Sequence, residues 1–155
     1  GAPLGLAHAG YYAINCLRLE KGYRAFGPEL NPDYNPVEAG LLFATKLKTD
    51  IPFLGREAVL AQKQAGPLRK RLVQVLVNDP SPLMFHAEIV RRDGVEVGYI
   101  RAASYGHTLG GAVGLAMIEA SSELQGVIER RPTMFQPVLN ARVQQAIHIM
   151  GDFRA

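Results

Sequence analysis

One cysteine, no tryptophan and only a slight excess of positive charge set the first limits on this 155-residue chain. With Cys16 as the sole thiol, an intramolecular disulfide is excluded, as is a zinc site built on several cysteines. A reducing compartment is the simplest setting. No stretch of about 18 uncharged apolar residues occurs, so no membrane-spanning helix is expected. The opening GAPLGLAHAG lacks the charged and apolar regions of a secretory signal. Basic residues number 17 against 14 acidic ones and are scattered singly or in pairs and triplets, a surplus too small to argue for nucleic acid. The chain also begins without methionine, in mid-pattern, which suggests a piece of a longer protein or a processed form.

What is present is ordinary globular material. Apolar residues make up 48% and charged residues 20%, enough to bury a core in one domain or two small subdomains and unlike a disordered or coiled-coil chain. Residues 8–21 repeat with helical period, placing Ala9, Tyr12, Ala13, Cys16 and Leu19 on one face that should be buried. On another side His8, Tyr11, Asn15 and Arg18 gather in a narrow arc, which is either solvated or lines a site. Gly22 offers a helix stop, and residues 27–36 read as extended loop. Residues 37–47 read as a strand or an irregular packed segment. A second helix is expected at 55–65, with Ala58, Ala61 and Ala65 in a stripe and Gly66-Pro67 closing it.

Past Pro67 the pattern changes to strands. KRLVQVLV at 70–77 places Val73, Val75 and Val77 on one face and Leu72 and Leu76 on the other, as an interior strand would. HAEIVRR and VEVGYIR flank Asp93-Gly94, a dipeptide suited to a two-residue hairpin turn. Another strand is expected through 112–118. Together these predict a small antiparallel barrel or sandwich from about residue 68 onward.

Most chemistry-bearing motifs resolve into plain structural readings. GHTLGG at 106–111 lacks the Lys and Ser or Thr of a phosphate loop, so strand-corner glycines explain it better. His8, His86, His107 and His148 show no metal-ligand spacing, and no serine has a nucleophile-elbow setting. Arg69, Lys70 and Arg71 suit a solvated strand edge. Arg18 could pair with a nearby carboxylate and Glu20 could be solvated. Yet a guanidinium beside Tyr11 and Asn15 also suits a planar heteroaromatic ligand or a carboxylate, because it donates in a rigid fork and stacks on rings.

The runs CLRLEKGYRAFGPEL at 16–30, PVEAGLLFATKL at 36–47, IPFLGREAVL at 51–60, KRLVQVLV, and DGVEVGYIRAASYGHTLGGAVGLAMI at 93–118 resemble the C-terminal half of the glycine cleavage T-protein family. They come nearest in pattern to the T-protein-like modules of dimethylglycine and sarcosine dehydrogenases. Order and spacing agree over about residues 4–120. Beyond about Gln125 no clear match is seen, and VLNARVQQAIHIMGDFRA lacks the strand pattern that would close the family's barrel.

The resemblance implies an α+β chain in which residues 1–66 end a folate-binding domain and residues 67–155 form a C-terminal β-barrel domain. It implies tetrahydrofolate as cofactor, with FAD in an upstream domain if the parent is a dehydrogenase. A small methylated amine or an aminomethyl carrier protein would be the partner, in the cytoplasm or mitochondrial matrix. Arg18 matches the arginine of the family's L-R-L-E motif at the folate site, with Tyr11 and Asn15 as neighbours by geometry. The family's acidic transfer residue would lie upstream of Gly1, so no catalytic residue is assigned within the chain. The other reading is a non-catalytic interaction module resembling the regulatory subunit of pyruvate dehydrogenase phosphatase.

Overall fold

The computed structural model describes residues 1–77, 79–92 and 95–119, together with a short strand at His148–Ile149. Helix α1 runs from Tyr11 to Glu20 and helix α2 from Arg56 to Gln64. Among the described residues five strands follow: β1 Lys70–Leu76, β2 Ile89–Arg92, β3 Val95–Gly106, β4 Gly111–Glu119 and β5 His148–Ile149. They form one sheet in the order β1-β4-β3-β2-β5, with every pair antiparallel. Among the described residues, no helix is long and apolar enough to cross a membrane.

The strand alternation read from the sequence sets the two faces of this sheet. Val73 and Val75 join Val90, Ile100, Ala112, Ala116 and Ile118 in one buried cluster, and Val77 packs against it. Leu72 lies in the opposite cluster with Val113, Leu115, Met117 and Leu19 of α1, and Leu76 packs alongside. The helix therefore covers one face of the sheet through its last turn. Full burial of Leu19 contributes roughly 1.5–3 kcal/mol.

The interior placement expected for β1 is corrected: in the described sheet it is the terminal strand. Both its faces are buried, which is what an apolar run interrupted only by the buried Gln74 records. Part of its open edge is covered by the preceding segment, where the Leu72 amide donates to the Glu38 carbonyl over 2.9 Å. Arg69 and Lys70 are exposed at this edge, as expected of a solvated basic cluster, whereas Arg71 is half-buried and its charge acts on Arg24.

The face expected to bury on α1 is also narrower than its periodicity suggests. Leu19 is buried and Cys16 half-buried, its Sγ 2.8 Å from Ser104 Oγ, but Ala9 and Ala13 are exposed and Tyr12 is 84% exposed. The helical period identifies residues that share a face. It does not say how much of that face another element reaches, and α1 meets β3 and β4 near its C-terminal end.

Residues 37–47 contain no strand. Gly40 and Lys46 adopt positive φ, which bends an extended chain out of line, and Leu42–Thr45 form a 3-10 turn. In α2 the alanine stripe at 58, 61 and 65 is exposed and Val59 is the buried residue. The glycines after Tyr105 act as strand corners: Gly106 pairs with Gly111, and Gly110 takes a left-handed φ in the turn between β3 and β4. Arg92 pairs with Val95 across the predicted Asp93-Gly94 turn, while those two residues lie outside the described set. The short β5 pairs with β2 within a terminal segment in which no strand pattern was read.

Two irregularities in β3 matter for the site. Arg101 is the extra residue where the register with β4 shifts between Ile100 and Ala102, so its side chain is aimed away from the regular alternation. Gly98 sits where any side chain would collide with β4: a Cβ there would lie 2.1 Å from the Met117 carbonyl oxygen.

Candidate functional site

The last turn of α1 leaves carbonyl oxygens beyond the reach of the helix's own amides, and the sheet supplies a partner. Gln74, buried on β1, donates its side-chain amide to the carbonyls of Leu19 at 2.7 Å and Glu20 at 3.0 Å. Glu20 extends the other way and accepts the Thr108 amide of the β3–β4 turn at 2.8 Å. Glu20 is therefore a structural acceptor and not merely a solvated charge. Gly22, in left-handed conformation, ends the helix and leaves room beside the Gln74 amide.

On the helix face between these anchors the Arg18 guanidinium is held by three groups. Its Nε and Nη2 donate to Asn15 Oδ1 at 3.1 and 2.7 Å, and Nη1 donates to the Tyr23 carbonyl at 2.6 Å. Nη2 also lies 2.9 Å from Glu29 Oε1, and the two side chains are 17% and 0% exposed. That last contact is an ion pair without an aligned N–H···O bond, and among the described residues no other group donates to Oε1. A guanidinium has five N–H donors. Three of them are hydrogen-bonded and Nη2 also lies against Glu29, which leaves one hydrogen on Nη1 for another acceptor.

Glu29 sits on a self-bonded loop. Its Oε2 accepts the Ala25 amide at 2.6 Å, while the Leu30 amide returns to the Ala25 carbonyl and the Gly27 amide to the Leu30 carbonyl. The bulge residue Arg101 pins this loop from the sheet, donating Nε to the Pro28 carbonyl at 2.8 Å. Arg101 is itself flanked by the rings of Tyr34 and Tyr99, at 5.5 and 5.3 Å from their centroids, and donates Nη1 to the Tyr99 hydroxyl. Tyr34 is harder to ionise than an ordinary tyrosine because it is partly desolvated and hydrogen-bonded to Tyr99. Tyr99 ionises more easily, because its oxygen accepts from Tyr34 and lies beside the Arg101 charge.

Arg24 completes the surroundings, donating to the carbonyls of Gly22 and Ala39. Burial holds its pKa below the usual arginine value, repulsion from Arg71 adds to this, and Glu29 opposes it.

Of the three residues expected at a site, the structure brings together Arg18 and Asn15. Tyr11 stands apart, 79% exposed, with its ring meeting Tyr12 edge-to-face at 6.4 Å. Sequence reasoning missed Glu29. A buried carboxylate cannot be told from a solvated one by spacing, and its only signal was a lone acid between Pro28 and Leu30 in an otherwise apolar turn.

With this geometry in hand, the chain can be set beside known proteins. Residues 1–49 match the GCVT N-terminal domain, and residues 70–146 match the glycine cleavage T-protein C-terminal barrel domain. This is an α+β chain whose sheet belongs to a barrel module, and it belongs to the glycine cleavage T-protein family. The match to residue 146 extends the resemblance well past Gln125, where the sequence alone showed none.

The chain is 46% identical over 122 residues to mouse mitochondrial sarcosine dehydrogenase, covering 79% of this chain and 13% of that protein. It is 42% identical over 129 residues to the formaldehyde-forming 4-methylaminobutanoate oxidase of Paenarthrobacter nicotinovorans, covering 83% and 16%. With the aminomethyltransferase of Listeria innocua it shares 39% over 126 residues, covering 81% and 34%. The chain thus spans between 13% and 34% of the length of these curated relatives. A crystal structure of the glycine cleavage system aminomethyltransferase T from Bartonella henselae has the same fold, with a TM-score of 0.63 at 24% identity over 72% of this chain and 31% of that one.

Proposed function

We propose that this chain is the C-terminal part of a tetrahydrofolate-dependent one-carbon enzyme, a demethylating dehydrogenase of the sarcosine or dimethylglycine type or an aminomethyltransferase. Residues 1–66 complete the folate-binding domain and residues 67–155 form its barrel. The observation that carries this reading is the Arg18 guanidinium, held at the end of α1 by three hydrogen bonds and an ion pair with one Nη1 hydrogen spare. A planar cation oriented this firmly suits the acceptor edge of a fused heterocycle or a carboxylate, and tetrahydrofolate carries both. The residues present fit that ligand. Arg18 would donate to it, Asn15 would set the tilt of the guanidinium, and the exposed ring of Tyr11 would offer a stacking surface.

When bound, the folate supplies the acceptor for the one-carbon unit. The residues of this chain bind and orient it, and the transfer acid belongs to sequence before Gly1. FAD would serve an upstream domain in a dehydrogenase parent. The donor would be a small methylated amine or an aminomethyl group on a carrier protein, and the setting the mitochondrial matrix or cytoplasm. The relatives named above are enzymes, which favours this reading over the non-catalytic regulatory module.

The test is calorimetric titration of the full-length protein with tetrahydrofolate. Arg18→Ala should weaken binding by about tenfold or more, since a hydrogen bond to a charged group contributes about 1.5–3 kcal/mol. Unchanged affinity in a folded variant would remove Arg18 from the site and with it the basis for this reading.

A further inference from the structure

We infer that Glu29 is a positioning residue for ligand binding: its buried carboxylate fixes the Arg18 guanidinium, and it acts on the ligand only through that arginine. This rests on the folate reading of Arg18. Three observations support it.

Glu29 is fully buried, and its contact with Arg18 is an ion pair rather than a directed hydrogen bond. The carboxylate therefore governs the arginine through charge, and an uncharged isostere removes that influence while keeping the shape. A buried charge is retained at a desolvation cost, which is offset here by Arg18, by the Ala25 amide and by the nearby charge of Arg24. The loop bearing Glu29 is rigid by construction: three hydrogen bonds close it between Ala25 and Leu30, and Arg101 ties it to β3 through the Pro28 carbonyl.

The consequence is geometric. Asn15 holds one edge of the guanidinium, at Nε and Nη2, and the Tyr23 carbonyl holds Nη1. Glu29 draws Nη2 from the other side. With the plane fixed at both ends, the remaining Nη1 hydrogen has one direction, and Arg18 meets its ligand without first losing rotamer freedom. Removing the charge leaves Arg18 on its Asn15 and Tyr23 contacts but without the pull on Nη2 that sets its tilt.

The experiment is a double-mutant cycle in the full-length protein, titrated calorimetrically with tetrahydrofolate and paired with urea midpoints for every variant. Glu29→Gln should weaken binding on the order of tenfold, the scale seen when a partner that orients a binding group is lost. Glu29→Asp, which keeps the charge but draws it back by one methylene, should fall between wild type and the Gln variant. In an Arg18→Ala background, Glu29→Gln should cost no further affinity, whatever it does to the urea midpoint.

If Arg18→Ala weakens binding but Glu29→Gln does not, the positioning role is wrong and the folate reading stands. If the two losses add, Glu29 acts through the general fold and the inference fails. If Arg18→Ala binds as well as wild type, the folate reading fails and takes the inference with it. Should the Gln variant not fold, Glu29→Asp decides: weakened affinity supports the role, and wild-type affinity overturns it.

Discussion

Replacing Gln74 with leucine separates the anchoring of α1 from the packing around it, because the two side chains are close in volume. Gln74 donates to two carbonyls at the helix end. Losing the bond to Leu19 costs about 1 kcal/mol, since that carbonyl keeps the Gly22 amide at 3.0 Å. The Glu20 carbonyl stands beyond the amide supply of the helix, and leaving this part-buried oxygen unpaired costs roughly 1–3 kcal/mol.

Against this, Gln74 Oε1 is buried without a donor, and its removal returns on the order of 1–2 kcal/mol. The central values balance to a net loss of about 1.5 kcal/mol. Gln74→Ala should cost more, about 3–5 kcal/mol, because it adds a cavity to the same lost bonds. Urea denaturation followed by circular dichroism measures both, and the leucine variant should melt several degrees lower at about 2–4 °C per kcal/mol. A leucine variant as stable as wild type, or more stable, would show that the relieved oxygen outweighs the two bonds and that the sheet does not hold the helix end in this way.

Gly98→Ala should destabilise by about 3–5 kcal/mol, the sum of a strained positive φ and ladder bonds lost as β4 is pushed back from a Cβ aimed at Met117; a urea midpoint within about 1 kcal/mol of wild type refutes the clash. Tyr99→Phe should remove the earliest component of an ultraviolet tyrosine titration, since Tyr99 ionises below and Tyr34 above the ordinary value. The linkage signs are opposite: the contribution of Tyr34 is complete below the unfolded tyrosine pKa and fades as pH rises through its raised value, while that of Tyr99 is complete only above the unfolded value. A titration curve unchanged by the substitution contradicts the assignment. Arg101→Met should loosen the loop at 25–30 at a cost of about 1–2 kcal/mol, read as faster amide exchange at Gly27 and Leu30; unchanged exchange would mean the loop needs no tie to β3.

The sheet was the most legible part of the chain. In β1 the valines and leucines alternate, broken only by Gln74 on the leucine face, and each set lies in the cluster its parity assigns. The helix at Tyr11–Glu20 was equally plain, yet its buried face was overdrawn because periodicity cannot measure how far a neighbour extends. At residues 37–47 the irregular segment rather than the strand forms, because Gly40 and Lys46 reverse φ within an apolar run, and Lys46 gives no hint of that conformation.

At the site, Arg18 and Asn15 were visible as neighbours three apart on one helix face. Glu29 was not, because its contact with Arg18 depends on a loop folding back after Gly22. The role of Arg101 was hidden for a related reason: it exists only at a register shift between two strands, which no single strand's pattern records.

The closure of α1 over Leu72, Val113, Leu115 and Met117 bears on any attempt to divide the chain. A barrel produced alone, cut after Pro67, would present those apolar side chains to water beside a glutamine amide stripped of its acceptors. Such a piece should self-associate and bind hydrophobic dyes. Grafting the barrel onto another scaffold would therefore require carrying the helix along or repainting that face with polar residues.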